Sequence, residues 1–212
     1  INPNQVGNFR NIVVSDQSGK SNITSRLEKY GIKIDKNDPK VQSLLDEVKD
    51  REFAGYSYDG ADASFELLAR RLLGEIPKYL TISKYDVSVK RDSKDKINSF
   101  AKAHLVVDGK EIICEGSGNG PVNALDNAIR SNVDKVGKYS KYLKDLKLVD
   151  YKVRILNTGT EAVTRVSIES TDSQGKNWFT IGVSTNIIEA SFKALIDSLD
   201  YKLFKDNAPA SK

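Results

Sequence analysis

Residues 116–130, GSGNGPVNALDNAIR, set three glycines at alternate positions ahead of a proline and then pass into an apolar period. Val122, Leu125, Ile129, Val133 and Val136 recur at helical spacing, so a helix is expected to begin near Pro121, a residue suited to the first helical position. The segment before it reads as strands. Tyr85, Val87 and Val89 alternate with polar residues, FAKAHLVV and EIICEG follow, and Asp108-Gly109 between those two is a two-residue hairpin signal. The order is strand, strand, strand, helix.

That order recurs. DYKVRIL, AVTRVSIES and KNWFTIGVS read as three strands and NIIEASFKALIDSL as an amphipathic helix. One offset of 66 residues carries Tyr85, Val87 and Val89 onto Tyr151, Val153 and Ile155, and Gly116, Ala124, Ala128 and Ile129 onto Gly182, Ala190, Ala194 and Leu195. A shared offset over separate regions indicates an internal duplication. The expected fold class is therefore α+β, with a helical linker over 1–76 and two βββα repeats over 77–206, about 77–137 and 148–204. GKYSKYLKDLK, residues 137–147, reads as a polar connection between the repeats, and 207–212 as a frayed tail.

The linker is helical by pattern. Ile23, Leu27 and Tyr30 share a face that ends at Gly31, and Asp38 and Pro39 open a helix with Val41, Leu44, Leu45 and Val48 in one stripe. In a third helix Phe65, Leu68 and Leu72 lie on one side, before Gly74 and Pro77 stop it. The chain begins with Ile1 and has no methionine, which reads as a piece of a longer protein.

Composition narrows the function. The 212 residues carry 33 basic and 29 acidic side chains, a net +4, interleaved rather than gathered on one face, which argues against a nucleic-acid footprint. A single cysteine allows no internal disulfide, and no apolar run nears the ~18 residues of a membrane span. A reducing, cytoplasmic setting is expected.

The glycine loop is not a dinucleotide fingerprint, since Pro121 stands where the third glycine of G-x-G-x-x-G belongs and no parallel βαβ unit surrounds it. A Walker loop fails because Pro-Val follows Gly120. His104 and Cys114 are each alone of their kind, too few for a metal site, and nothing activates them as a nucleophilic pair. Asp59 and Asp62 precede a helix and read as caps and dipole partners. No catalytic residue or metal ligand is assigned. The loop itself leaves two readings, a turn chosen for packing and a cradle for a small carboxylate at a helix N-terminus.

GNGPVNALDNAIR, DYKVRIL, GTEAVTRVSIES and WFTIGVSTNIIEASFKALIDSLDYKL, with VGNFRNIVVSDQSGKSNI and YDGADASFELL upstream, resemble the C-terminal part of the isopropylmalate synthase family. The resemblance implies a parent enzyme whose metal-dependent (β/α)8 barrel condenses acetyl-CoA with a 2-oxo acid. No barrel pattern is present here, so no cofactor is expected in this chain; the divalent metal would belong to the barrel. It further implies a homodimer in which the βββα units bind an end-product amino acid near the dimer interface. SDQSGKSNI and DASFELL point to the branch that uses pyruvate, whose effector is typically isoleucine; the alternative effector is leucine. SDQSGKSNI would lie near the neighbouring subunit's active site.

Carried over residue by residue, the resemblance implies a first-unit contribution from Gly118, Gly120, Pro121, Asn123 and Ala124. The second unit would supply Tyr151, Ile155, Thr160, Thr164, Thr185 and Ile187, with Thr185 standing where the family often has proline. The effector's carboxylate would meet helix N–H groups, its ammonium carbonyls or Asn123, and its branched side chain an apolar pocket. The second repeat keeps Gly182 but lacks the other two glycines, so Gly118 and Gly120 read as room for a ligand rather than as a demand of the fold.

Overall fold

In the computed structural model, the described residues are 19–130, 132–156 and 162–212. Three helices come first: α1 (Lys20–Lys29), α2 (Pro39–Phe53) and α3 (Asp62–Leu73). Sheet strands β1 (Thr81–Arg91), β2 (Ile97–Val107) and β3 (Lys110–Gly118) lead into helix α4 (Pro121–Arg130). Residues 133–139 form 3-10 turns, followed by the short α5 (Ser140–Leu143). Strands β4 (Lys147–Ile155), β5 (Thr164–Thr171) and β6 (Asn177–Ser184) then lead into α6 (Ile187–Lys205). The strands make two antiparallel three-stranded sheets, ordered β1-β2-β3 and β4-β5-β6, giving the expected α+β arrangement of two βββα units.

Local chemistry sets the element ends. The Asp38 carboxylate accepts from Lys40 N at 2.8 Å and Pro39 opens α2. Gly74 caps α3 in the left-handed region at φ 75°. Asp108 and Gly109 take φ 51° and 72°, the two positive values that a type I′ hairpin requires.

Each helix lies close to its own sheet, and the equivalent glycines Gly116 and Gly182 help make that possible. A Cβ on Gly116 would sit 2.7 Å from Ala128 Cα and 2.8 Å from Ala124 O; one on Gly182 would sit 2.9 Å from Ala194 N and overlap Ala190 O. Small residues at 124, 128, 190 and 194, all fully buried, complete the contact. The same face of each sheet carries Ala101, Ala103 and Cys114 in the first unit and Val166, Ile168 and Thr180 in the second.

The two units lock together through their helices. Tyr85 of β1 stacks on Phe192 of α6, ring centroids 4.6 Å apart, and its hydroxyl donates to Glu189 at 2.7 Å. The outer face of the second sheet is covered by the helical segment: Ile181 belongs to the cluster built by Ile23, Leu27, Val41, Leu44, Val48, Tyr58 and Phe65. Inside that cluster the buried Arg26 guanidinium donates to Tyr58 O and Asp62 and lies over the Phe65 ring. Asp62 thus serves as an ion-pair partner in the first turn of α3, and also accepts from Tyr30 OH at 2.8 Å.

Three expectations are corrected. Helix α3 is not a one-sided linker helix: Ala63 through Ala69 are all buried while Leu72 is exposed, because α3 packs on α2 with one flank and on α6 and β6 with the other. The connection at 137–147 is not polar throughout, since Tyr139, Leu143 and Leu146 are buried in the core of the first unit. The tail does not fray. Ser211 N donates to Lys78 O, Asp108 N donates to Ser211 Oγ, and Tyr139 OH donates to Pro209 O.

The glycines divide into two kinds, and substitution separates them. Gly182→Ala is expected to destabilise the chain by about 1–3 kcal/mol or more through overpacking against a helix backbone. Gly120, with open space around an added Cβ and no positive φ, is expected to accept Ala with unchanged or slightly raised stability. Urea unfolding midpoints of the two variants check the contrast.

Candidate functional site

The sheets end together with the helix N-termini, and there the duplication places matching rows. In the first unit Val89, Ser99 and Gly118 lie side by side on the helix face, beside Asn123 and Ala124 at the start of α4. In the second unit Ile155, Thr164 and Ser184 form the equivalent row, beside the start of α6. The middle strands correspond at an offset of 65, since the hairpin of the second unit is one residue shorter; Thr164 is therefore the counterpart of Ser99.

Of the residues that the sequence reading singled out, Gly118, Gly120, Pro121, Asn123 and Ala124 gather at the α4 N-terminus. Ile155, Thr164, Thr185 and Ile187 gather at the α6 N-terminus, with Thr164 buried and the other three exposed. Tyr151 sits further along β4, half-buried, its hydroxyl 2.8 Å from Ser191 Oγ of α6, and burial pushes its phenol up. Thr160 lies outside the described residues. The α6 start reaches the first unit through Tyr85, so both helix N-termini flank the helix face of β1.

The two N-termini differ in one respect that decides their chemistry. At α6, the Asn186 carboxamide oxygen accepts from Ile188 N at 2.8 Å and from Glu189 N at 3.4 Å, occupying the first donors of the helix. At α4 the residue in that place, 66 positions earlier, is Gly120, which has no side chain to do the same. Asn123 does not replace it, because its side-chain oxygen accepts instead from Asn119 N at 3.2 Å. No side chain among the described residues accepts from the first donors of α4, so its positive end is open to an outside acceptor.

Gly118 and Gly120 also part company. A Cβ on Gly118 would stand 2.7 Å from Ala124 N, so the fold itself demands glycine there, contrary to the expectation that neither extra glycine was structural. A Cβ on Gly120 would meet nothing within 4 Å. Sequence reasoning missed Ser99. Its side chain is fully buried and its hydroxyl has no hydrogen-bond partner, a cost of about 1–3 kcal/mol when nothing else meets it. Only its odd place in an otherwise apolar alternation, Ser99-Ala101-Ala103-Leu105, signals it in the sequence.

Apolar side chains around these rows are left uncovered. Val89 is 55% exposed, Ile97 53%, Val153 38% and Ile155 70%, although all four face the same side as the helices. Between α4, α6, the start of β4 and the end of β5 there is a cavity of about 10 Å³, room for a single water. None of the larger hollows is lined by both helix N-termini.

His104 and Cys114 point to opposite faces of their sheet, as their strand partners Ile113 and Ala103 show, so they form no nucleophilic pair. Burial pushes the Cys114 thiol up, away from the reactive thiolate. His104 Nδ1 instead lies 3.2 Å from Glu111 Oε1. No described helix is long and apolar enough to cross a membrane.

Residues 59–203 match the LeuA allosteric (dimerisation) domain, which includes α3 and both βββα units; the chain belongs to this family. It is similar to the (R)-citramalate synthase of Aquifex aeolicus, 45% identical over 209 residues, and to that of Geobacter sulfurreducens, 44% identical over 208 residues. Each alignment covers 97% of this chain and 39% of the relative, so the chain spans well under half the length of these curated relatives. A probable 2-isopropylmalate synthase of Methanopyrus kandleri is 26% identical over 198 residues.

One group near the helix junction makes a pH test possible. Burial pushes the Asp200 carboxyl of α6 up to about 6 against the opposing pull of Arg71, with Asp197 adding repulsion. An unfolded Asp titrates near 3.9, so between about pH 6 and 4 the folded chain holds the extra proton, and this group raises stability as pH falls through that window. Above it the cost is fully present. The melting-temperature advantage of Asp200→Asn over the parent chain is expected to be greatest near pH 7.5 and to shrink by pH 4.5; a difference constant across that range contradicts the assignment.

Proposed function

We propose that the chain is the regulatory part of a citramalate synthase, an acyltransferase that condenses acetyl-CoA with pyruvate, and that two copies bind isoleucine as feedback inhibitor at their interface. The observation that carries the reading is the uncapped start of α4. The second unit spends Asn186 on its helix donors, whereas the first has Gly120, open space and the unpartnered Ser99 hydroxyl in the adjoining row. An amino acid's carboxylate fits those donors, and its ammonium fits the hydroxyl oxygen of Ser99 together with the carbonyls of the glycine loop.

The aliphatic part of the ligand then meets the uncovered row of Val89 and its counterpart Ile155, where burying a branched side chain contributes about 1.5–3 kcal/mol. Closure of that pocket falls to the second copy. A dimerisation family and apolar side chains left open on the helix side of both sheets support this. The similarity to citramalate synthases supports the isoleucine reading over the leucine one. A cytoplasmic setting suits the single buried thiol.

Titration calorimetry with isoleucine and with leucine tests the reading. Isoleucine is expected to bind more tightly than leucine, and absence of heat with either at millimolar concentration would falsify it. Gly120→Asn, which gives α4 its own cap, is expected to weaken binding at least tenfold with stability unchanged or raised by a few tenths of a kcal/mol. Ser99→Ala is expected to weaken binding without loss of stability, because it removes a buried hydroxyl that the unliganded chain leaves unpaired.

A further inference from the structure

Helix α6 does two things along its length. Its first two turns carry the Asn186 cap and the Glu189 and Phe192 contacts to β1, the strand whose Val89 is proposed to meet the effector. Its later turns grip α3. Arg71 of α3 donates to Asp197 and to Asp200, both at 2.7 Å, so one planar guanidinium holds two carboxylates a turn apart. Ser64 of α3 donates to Asp197 at 2.8 Å and accepts from Ile181 N of β6 at 3.0 Å, joining three elements through one hydroxyl. The fully buried Glu66 of α3 accepts from Tyr201 at 3.1 Å and pairs with Lys205 at 3.0 Å.

We propose that this clamp of Ser64, Glu66 and Arg71 on Asp197, Asp200, Tyr201 and Lys205 is a coupling element that makes α3 follow α6. Effector occupancy beside β1 is thereby passed through α6 to the helical segment α1–α3. The inference rests on the effector reading given above. Its physical basis is that apolar helix contacts slide, whereas hydrogen-bonded ion pairs hold only over a narrow range of positions.

The network is a poor choice for stability alone. Asp200 Oδ1 is buried without a partner, and the carboxyl is held above its usual range in spite of Arg71. Side chains that cost stability yet fix geometry are what a positional coupling requires. Helix α3 is suited to receive it, because the rest of the helical cluster is assembled on its other flank: Phe65, Leu68 and Ala69 pack with Leu44, Leu45, Val48 and Ile23. A shift of α3 therefore carries α1 and α2 with it.

Hydrogen exchange on the whole chain, with and without saturating isoleucine, tests the proposal. Binding is expected to slow exchange at the starts of α4 and α6 and also, about threefold or more, in α3 over 62–73. Arg71→Lys keeps the charge but cannot span both carboxylates; it is expected to abolish the slowing in α3 while calorimetry shows the isoleucine Kd within about threefold of the parent. A parent chain in which the α4 and α6 starts respond and α3 does not overturns the coupling, as does an Arg71→Lys variant with the α3 response intact.

Absence of isoleucine heat sinks the effector reading separately. The clamp is then judged without ligand. Exchange across 20–73 should rise about tenfold in Arg71→Lys relative to β4–β6, and no rise overturns it. Asp197→Ala, which removes the acceptor shared by Ser64 and Arg71, provides the same comparison should Arg71→Lys not fold.

Discussion

The close approach of each helix to its sheet, at Gly116 under α4 and at Gly182 under α6, is the contact on which the rest of the architecture depends. With helix backbone lying where a Cβ would be, each helix lies mainly over the two strands nearest it, β2 and β3 or β5 and β6, and touches the first strand more lightly. The first strand of each unit is left with part of its helix face open. In the first unit Tyr85 is covered by the neighbouring α6, yet Val89 beyond it is not. The fold thereby exposes apolar rows beside two helix N-termini, a surface whose natural completion is another copy of itself.

Duplication explains the scaffold, and its departures from symmetry explain the chemistry. Gly116 and Gly182 are equivalent and both structural. Gly120 and Asn186 are equivalent in position and opposite in effect, one leaving helix donors open and the other closing them. Gly118 and Ser184 differ because α4 starts closer to its strand, with Asn123 and Ala124 where a side chain would be. The helical segment adds a further asymmetry, covering the outer face of the second sheet through Ile181 but not that of the first.

Strand and helix order, the hairpin at Asp108-Gly109, the Asp38 cap and the repeat itself were all legible in the sequence, since each is written in local periodicity or turn chemistry. What escaped was nonlocal. Tyr139, Leu143 and Leu146 are spaced as a helix face, but lysines between them mask the period. The tail carries no apolar pattern at all; its order comes from backbone and hydroxyl hydrogen bonds to Lys78 and Asp108. Leu72 belonged by spacing to the buried side of α3, yet the second packing partner, α6, turned that helix so that Ser64 and Glu66 went inward instead. At the site, the glycine pattern was visible, but only three-dimensional spacing separates Gly118, held by packing, from Gly120, held by nothing in this chain. Ser99 could be seen only once its lack of a partner was known.

The proposed pocket, shared between two copies, would make dimerisation and effector binding one equilibrium: whatever binds the dimer better than the monomer must tighten the dimer. Sedimentation velocity across a dilution series, without ligand and with isoleucine, measures this linkage directly. The dimer dissociation constant is expected to fall at least fivefold with saturating isoleucine. A dissociation constant unchanged by bound isoleucine would contradict the placement of the site at the interface.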